Sequence, residues 1–334
     1  MKTPDKNSRI LILTTFGLTS LVILAVCPVI GSHNVTWKDL FAEPSISREI
    51  FVKTRLPRVM LAMVVGSALA CAGAVFQSLF RNALASPFTL GTASGGSLGA
   101  VLAIKAGLDI TLFGFSLVSL GAFIGSLTAV AVVYSLSRSS RGITTSTMLL
   151  SGVTVGFFFS AIVMFIHYMS DFAESRAILV WTMGSLSILD YRTILRIFPL
   201  VFIPQLIFIF MARNLNQMCM GEELAASRGV NIERTKIWSF FLASLMIGAS
   251  VSVAGPIGFV GLIVPHIIRL LTGNDYRVLI PCCIFGGGSF LAICDTIARI
   301  LISPAEIPVG VITAMLGGPF FLWLLLRKRI SMEI

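Results

Sequence analysis

Residues 112–136 read LFGFSLVSLGAFIGSLTAVAVVYSL, without one charged side chain. A helix of that length rises about 37 Å, more than the ~30 Å hydrocarbon core of a bilayer. A strand of a membrane barrel would alternate apolar and polar positions, and this run does not. A loop in lipid would leave its backbone N–H and C=O groups without partners, so a membrane-spanning helix is predicted. Apolar runs of the same kind occupy 10–30, 59–80, 90–107 and 143–168, then 193–212, 237–257, 259–273, 279–301 and 307–326. Ten spans are therefore expected, the 259–273 run being the shortest.

The composition agrees. Charged residues make up 12% and hydrophobic residues 56% of the 334 positions, and the mean hydropathy is +0.94. A soluble domain carries about 25% charged residues, so most of the outer surface must face lipid. The formal net charge of +10 would suit a nucleic-acid surface. Here, however, Lys and Arg stand in short clusters between apolar runs, the pattern of membrane anchoring. Lipid is expected as a partner and nucleic acid is not.

Ten spans put both termini on one side. One set of connections comprises the N-terminal tail, Arg81, 137–142, 213–236, 269–277 and the C-terminal tail, with 15 Lys/Arg against 6 acids. The other comprises 31–58, 104–111, 168–196 and 295–307, with 10 Lys/Arg against 9 acids. Basic residues collect on the cytoplasmic side, which predicts N-in and C-in. Lys2, Lys6 and Arg9 before the first run resemble a signal peptide. The run is longer than an ordinary signal core, and Val26 does not fit a lipoprotein site at Cys27, so an uncleaved first span is expected.

Gly91, Gly95 and Gly99, Gly121 and Gly125, and Gly152 and Gly156 recur at four-residue spacing, which lets helices approach closely in lipid. Pro199, Pro204, Pro256, Pro265 and Pro319 are expected to kink or break their helices. Irregular backbone at membrane depth is tolerated where it is buried or lines a cavity, so Pro256 and Pro265 mark a specialised region.

Chemistry is scarce. The sequence holds no Gly-Lys-Ser or Gly-Lys-Thr of a phosphate-binding loop, no HExxH and no GxSxG. Cys27, Cys71, Cys219, Cys282, Cys283 and Cys294 lack zinc or redox spacing, and His33, His167 and His266 are far apart, so no metal site is expected. An ion-coupled secondary transporter is the alternative reading, but such proteins keep an ionisable group in the membrane. Asp295 is the main candidate, and Arg299 one turn later can pair with it. The energy for transport is therefore expected from a partner. The 213–236 connection offers a docking element for one: Glu222 and Glu223 favour a helix start, Gly229 a stop, and Leu224, Ala225 and Ala226 a modest apolar face.

Several motifs then occur in order. Arg55-Leu56-Pro57-Arg58 leads into a span with Gly66, Gly73 and Gln77, followed by Arg81-Asn82-Ala83-Leu84-Ala85-Ser86-Pro87 and Leu90-Gly91. Later come Ala254-Gly255-Pro256-Ile257-Gly258-Phe259-Val260-Gly261-Leu262-Ile263-Val264-Pro265-His266 and Arg269. Asp295-Thr296-Ile297-Ala298-Arg299 and Pro304-Ala305-Glu306-Ile307-Pro308-Val309-Gly310 close the series. From about residue 45 to 326 the chain resembles the FecCD family of permeases, the membrane subunits of type II ABC importers for iron-siderophores, haem and cobalamin.

That resemblance implies an all-α integral membrane protein with ten spans and the type II importer architecture, a single permease domain over 1–334 that contains the 213–236 coupling segment. It implies a second permease copy, with a homodimer preferred, and two ATPase subunits that hold ATP and magnesium, so that this chain is not itself an enzyme and binds no cofactor. It also implies a periplasmic or lipid-anchored substrate-binding protein and a bacterial cytoplasmic membrane. Arg55, Arg58 and Arg299 match positions that meet acidic residues of the binding protein. Glu222, Glu223, Leu224, Ala225, Ala226, Arg228 and Gly229 match the coupling helix. Ser151, Gly152, Thr154, Gly156, Phe157 and Ser160 of the fifth span match the translocation path. A ferric siderophore is the first expectation for cargo, before haem and cobalamin.

Overall fold

The computed structural model describes residues 6–31, 46–86, 88–107, 110–112, 114–139, 142–187, 190–302 and 305–330. Lys2, His33, Pro87 and Pro304, all used in the sequence reading, lie outside the described residues. The described chain is almost entirely helical. Helix α1 (Lys6–Val26) is followed by α2 (Ile46–Ile50), which passes through a π-helical turn at Phe51–Arg55 into α3 (Leu56–Leu79). Then come α4 (Thr92–Ala106), α5 (Leu117–Ser137), α6 (Thr145–Tyr168), α7 (Phe172–Thr182), α8 (Tyr191–Met220) and α9 (Glu222–Ser227). The last four are α10 (Ile232–Ala254), α11 (Val260–Thr272), α12 (Tyr276–Ile300) and α13 (Val309–Ile330). Two antiparallel pairs of two-residue strands flank α5, with Thr111 opposite Ser116 and Arg138 opposite Ile143.

Each predicted apolar run coincides with one helix, and α2, α7 and α9 lie between them. Among the described residues seven helices are long and apolar enough to cross a membrane: α1, the α2–α3 rod, α5, α6, α8, α10 and α12. Helix α4, at 15 residues, and α11, at 13, are shorter. Helix starts are set by side chains that accept from the first free backbone N–H groups. Ser116, Asp190, Asn231 and Asp275 do so for α5, α8, α10 and α12, and Asp171 with Glu174 forms a reciprocal capping box on α7.

Helix α3 is apolar all round and sits at the centre, as such a helix must. Its glycines let neighbours close on it. A Cβ added at Gly73 would run into the backbone of Gly261 on α11, and one at Gly66 into that of Gly287 on α12. The predicted small-residue seam is formed by α4 and α5, where a Cβ at Gly95 would lie 2.5 Å from the Gly125 carbonyl oxygen. Of the five prolines expected to kink or break helices, Pro256 sits in the interruption between α10 and α11. Pro199, Pro204, Pro265 and Pro319 lie inside continuous helices.

The ion pairs sort by end of the bundle. Arg9–Asp275, Arg277–Asp275, Arg81–Glu222 and Lys236–Glu222 all join residues of the first set of connections. Lys53–Glu49, Lys105–Glu174, Arg58–Asp295, Arg58–Glu306 and Arg299–Asp295 all join residues of the second. None found among the described residues crosses from one set to the other.

Candidate functional site

At the end formed by the second set, the start of α3 meets the end of α12. Arg58 Nε donates to both Asp295 oxygens at 2.9 and 3.1 Å, and its Nη1 donates to Glu306 Oε2 at 2.5 Å. Arg299 Nε stands 3.2 Å from Asp295 Oδ2, close enough for an ion pair but too poorly aligned for a hydrogen bond. Its Nη2 donates to the Thr296 hydroxyl and the Cys27 carbonyl, and its Nη1 to the Ile30 carbonyl. Arg55 Nη1 donates to the carbonyls of Val29 at 3.0 Å and Pro28 at 3.4 Å. The cluster thereby ties the end of α1 to α3, α12 and the segment before α13.

The structure brings Arg55, Arg58 and Arg299 together with little of each side chain in contact with solvent. They are 5%, 6% and 6% exposed, and Asp295 is fully buried. The three guanidiniums, with Gly31, Thr54 and Glu306, line a cavity of about 150 Å³. The local i,i+4 pairing of Asp295 with Arg299 is present as expected. The second pairing of Asp295, with Arg58, spans 237 residues of sequence, and no local signal could have found it.

At the opposite end, α9 begins directly after α8 at Gly221 and stops at Gly229, whose φ of 83° is the left-handed conformation glycine tolerates. Glu222 anchors it twice: Lys236 Nζ of α10 donates to it at 2.7 Å, and Arg81 Nη2, just after α3, lies 3.7 Å away. Arg81 also donates from Nε to the Met218 carbonyl, and Arg228 donates to Gln217. Ala225 is fully buried, whereas Glu223, Leu224, Ala226, Arg228 and Gly229 are exposed. The expected apolar face is therefore split, with Ala225 turned inward and Leu224 and Ala226 outward. Nearby, Asp275 accepts from Arg277 at 2.8 Å and Asn216 at 2.8 Å, with Arg9 at 3.3 Å. Burial works against its charge, but the Arg277 and Asn216 hydrogen bonds outweigh it and hold the carboxyl down at about 2.

The six residues assigned to a path on α6 do not share a face. Gly152 is buried against Thr89 and Leu90, and Gly156 lies against Gly91 and Ser94. Ser151 is half-buried, while Thr154, Phe157 and Ser160 are exposed.

A larger cavity, about 790 Å³ and mostly apolar, was not anticipated. Phe88, Met183, Pro256, Phe259, Leu262 and Met315 contribute to it. The non-helical stretch of Pro256 and Gly258 forms part of its wall, as foreseen for Pro256, beside the ends and faces of helices α7, α11 and α13. Phe259, at φ 66°, is a non-glycine residue in the left-handed region, a strain of about 1–3 kcal/mol. His266 lies edge-on to Phe320 and Phe321. Among the described residues no group of three or more His, Cys, Asp or Glu is placed to hold a metal ion. Five of the six thiols are buried and Cys219 is exposed.

A largely apolar helical bundle with seven membrane-length helices and its ion pairs gathered at two ends has the build of a multi-pass membrane permease. The chain belongs to the FecCD transport family, whose model matches residues 18–327. It is 40% identical over 319 residues to the hemin transport system permease protein HmuU of Yersinia pestis, covering 94% of this chain and 95% of the relative. It is also 40% identical over 290 residues to the cobalamin import system permease protein BtuC of Halobacterium salinarum, covering 87% and 77%. A solved structure of an inward-facing metal-chelate type ABC transporter superposes with a TM-score of 0.83 at 29% identity, covering 95% of this chain and 99% of that one.

Proposed function

We propose that the chain is the membrane permease of an ATP-driven importer for a metal chelate, with ten spans, both termini in the cytoplasm and the type II importer architecture. The observation that carries the mechanism is the double anchoring of α9 by Lys236 and Arg81. A six-residue helix fixed to both α3 and α10 passes force from an ATPase into the bundle core rather than flexing. Two ATPases holding ATP and magnesium act on α9 of two permease copies. Their closure on nucleotide biases the pair between inward- and outward-open states, nucleotide supplying the differential free energy. A binding protein delivers cargo at the Arg55, Arg58 and Arg299 end, where an acidic partner would be steered and oriented. Path residues are sought among Thr154, Phe157 and Ser160, since Gly152 is occupied by packing inside the chain.

The names of the relatives point to a metal–tetrapyrrole cargo, haem or a cobalamin, ahead of the ferric siderophore expected first from sequence. The deciding experiment is reconstitution in liposomes with the cognate ATPase and binding protein. Uptake of haem, cobalamin and ferric siderophore is followed in parallel. One of the three is expected to accumulate only with hydrolysable ATP. Uptake that persists without ATP but stops when the ion gradient is collapsed would instead establish a secondary transporter.

A further inference from the structure

The two carboxylates on Arg58 differ in kind. Asp295 is fully buried and shared with Arg299, whereas the Glu306 side chain is 55% exposed and, among the described residues, pairs with Arg58 alone. One is a fixed part of the core; the other sits at the water-facing mouth of the cavity lined by Arg55, Arg58 and Arg299. That cavity, about 150 Å³, is well below the roughly 300–1,000 Å³ of a pocket for a drug-sized ligand, so a metal chelate does not fit. A single carboxylate-bearing side chain does. Three guanidiniums face two carboxylates, a net charge of +1 that becomes +2 when Glu306 leaves, and an arriving carboxylate returns the cluster to +1.

We propose that Glu306 is an internal placeholder, its carboxylate occupying on Arg58 the position that one acidic side chain of the delivery protein takes on docking. The inference rests on the reading that this end receives such a protein, and it assigns to Glu306 a positioning role in it. In the free permease Glu306 keeps Arg58 oriented and capped. On docking it is exchanged for the partner's carboxylate, so its presence lowers the affinity of the encounter and selects against partners without an acidic group at that place. The exchange trades one charge-assisted hydrogen bond for another, which makes docking reversible without stranding a buried cation.

The test uses the complete transporter in lipid nanodiscs and its cognate substrate-binding protein. E306Q keeps the shape and removes the charge, and is expected to tighten binding by roughly three- to tenfold. E306S serves if the glutamine variant is poorly folded, as judged by melting temperature. The gain must depend on Arg58: in an R58Q background, or R58K if the former is unstable, E306Q is expected to add nothing, giving a non-zero coupling in the double-mutant cycle. Affinity that is unchanged or weakened by E306Q overturns the placeholder. So does an equal gain with and without Arg58, which would mean long-range repulsion. The underlying reading is tested apart, by neutralising the surface carboxylates of the delivery protein one at a time. If none of them affects affinity, that reading fails. If one abolishes binding while E306Q does not tighten it, the placeholder alone fails.

Discussion

With both guanidiniums removed from water, the Asp295 carboxylate is the counter-charge for Arg58 and Arg299 together. Deleting one member of a buried pair leaves an uncompensated charge at about 3–5 kcal/mol. Asp295→Ala is therefore expected to lose stability on that scale in detergent unfolding. A loss below about 1 kcal/mol, the range of exposed pairs, would mean that the arginines reach water after all. Asp275 at the opposite end gives a prediction in pH. Its folded pKa, about 2, lies below the ordinary 3.8. The group therefore stabilises the fold above its unfolded value, and this contribution is lost as pH falls through the folded one. Asp275→Asn should melt below the natural protein at neutral pH, and the two melting curves should converge as pH is taken from about 5 to about 2. A gap that is constant over that window would exclude the ionised carboxylate as the cause.

At the scale of helices, stability depends on how closely backbones approach. Gly73 faces the backbone of Gly261, so a methyl group there has no flexible neighbour to displace, whereas Gly17 on α1 has nothing within 4 Å. Gly73→Ala should cost about 1–3 kcal/mol by overpacking. Gly17→Ala should be neutral or gain up to about 1 kcal/mol, since alanine is the better helix former. Thermal unfolding of the two variants side by side checks this, and equal effects would refute the packing account. The α4–α5 seam was legible in sequence because four-residue glycine spacing is a local pattern, as are the apolar runs, whereas the Gly73–Gly261 contact carried no such spacing. The pairing of Arg58 with Asp295 was not legible, because it depends on which helices touch across the whole chain. Glu306, inside a motif that could be quoted, carried no local sign of its partner. Which α6 residues face outward was not legible for a related reason. An apolar stretch with small residues on every side reads alike whether it packs inward or waits for another surface.

For the whole molecule, the surface of α6 distinguishes a folding role from a transport role. Phe157 and Phe158 are 75% and 62% exposed and Thr154 and Ser160 are exposed, while Gly152, on the same helix, is buried. If two copies enclose the path along α6, bulk on its outer face obstructs cargo without disturbing either copy. Thr154→Trp and Ser160→Trp are then expected to keep the melting temperature of the natural protein and to abolish ATP-dependent uptake in liposomes. Gly152→Trp is expected to fail differently. A Cβ there already lies 2.8 Å from the Thr89 carbonyl oxygen and the Leu90 Cα, so a large side chain must open the contact between α6 and the turn before α4. It should lower the melting temperature and yield before transport can be measured. If the two exposed positions instead tolerate tryptophan with full uptake, α6 faces lipid, and the path must run past other walls, the 790 Å³ cavity beside Phe259 being the first to probe by the same substitution at Met315.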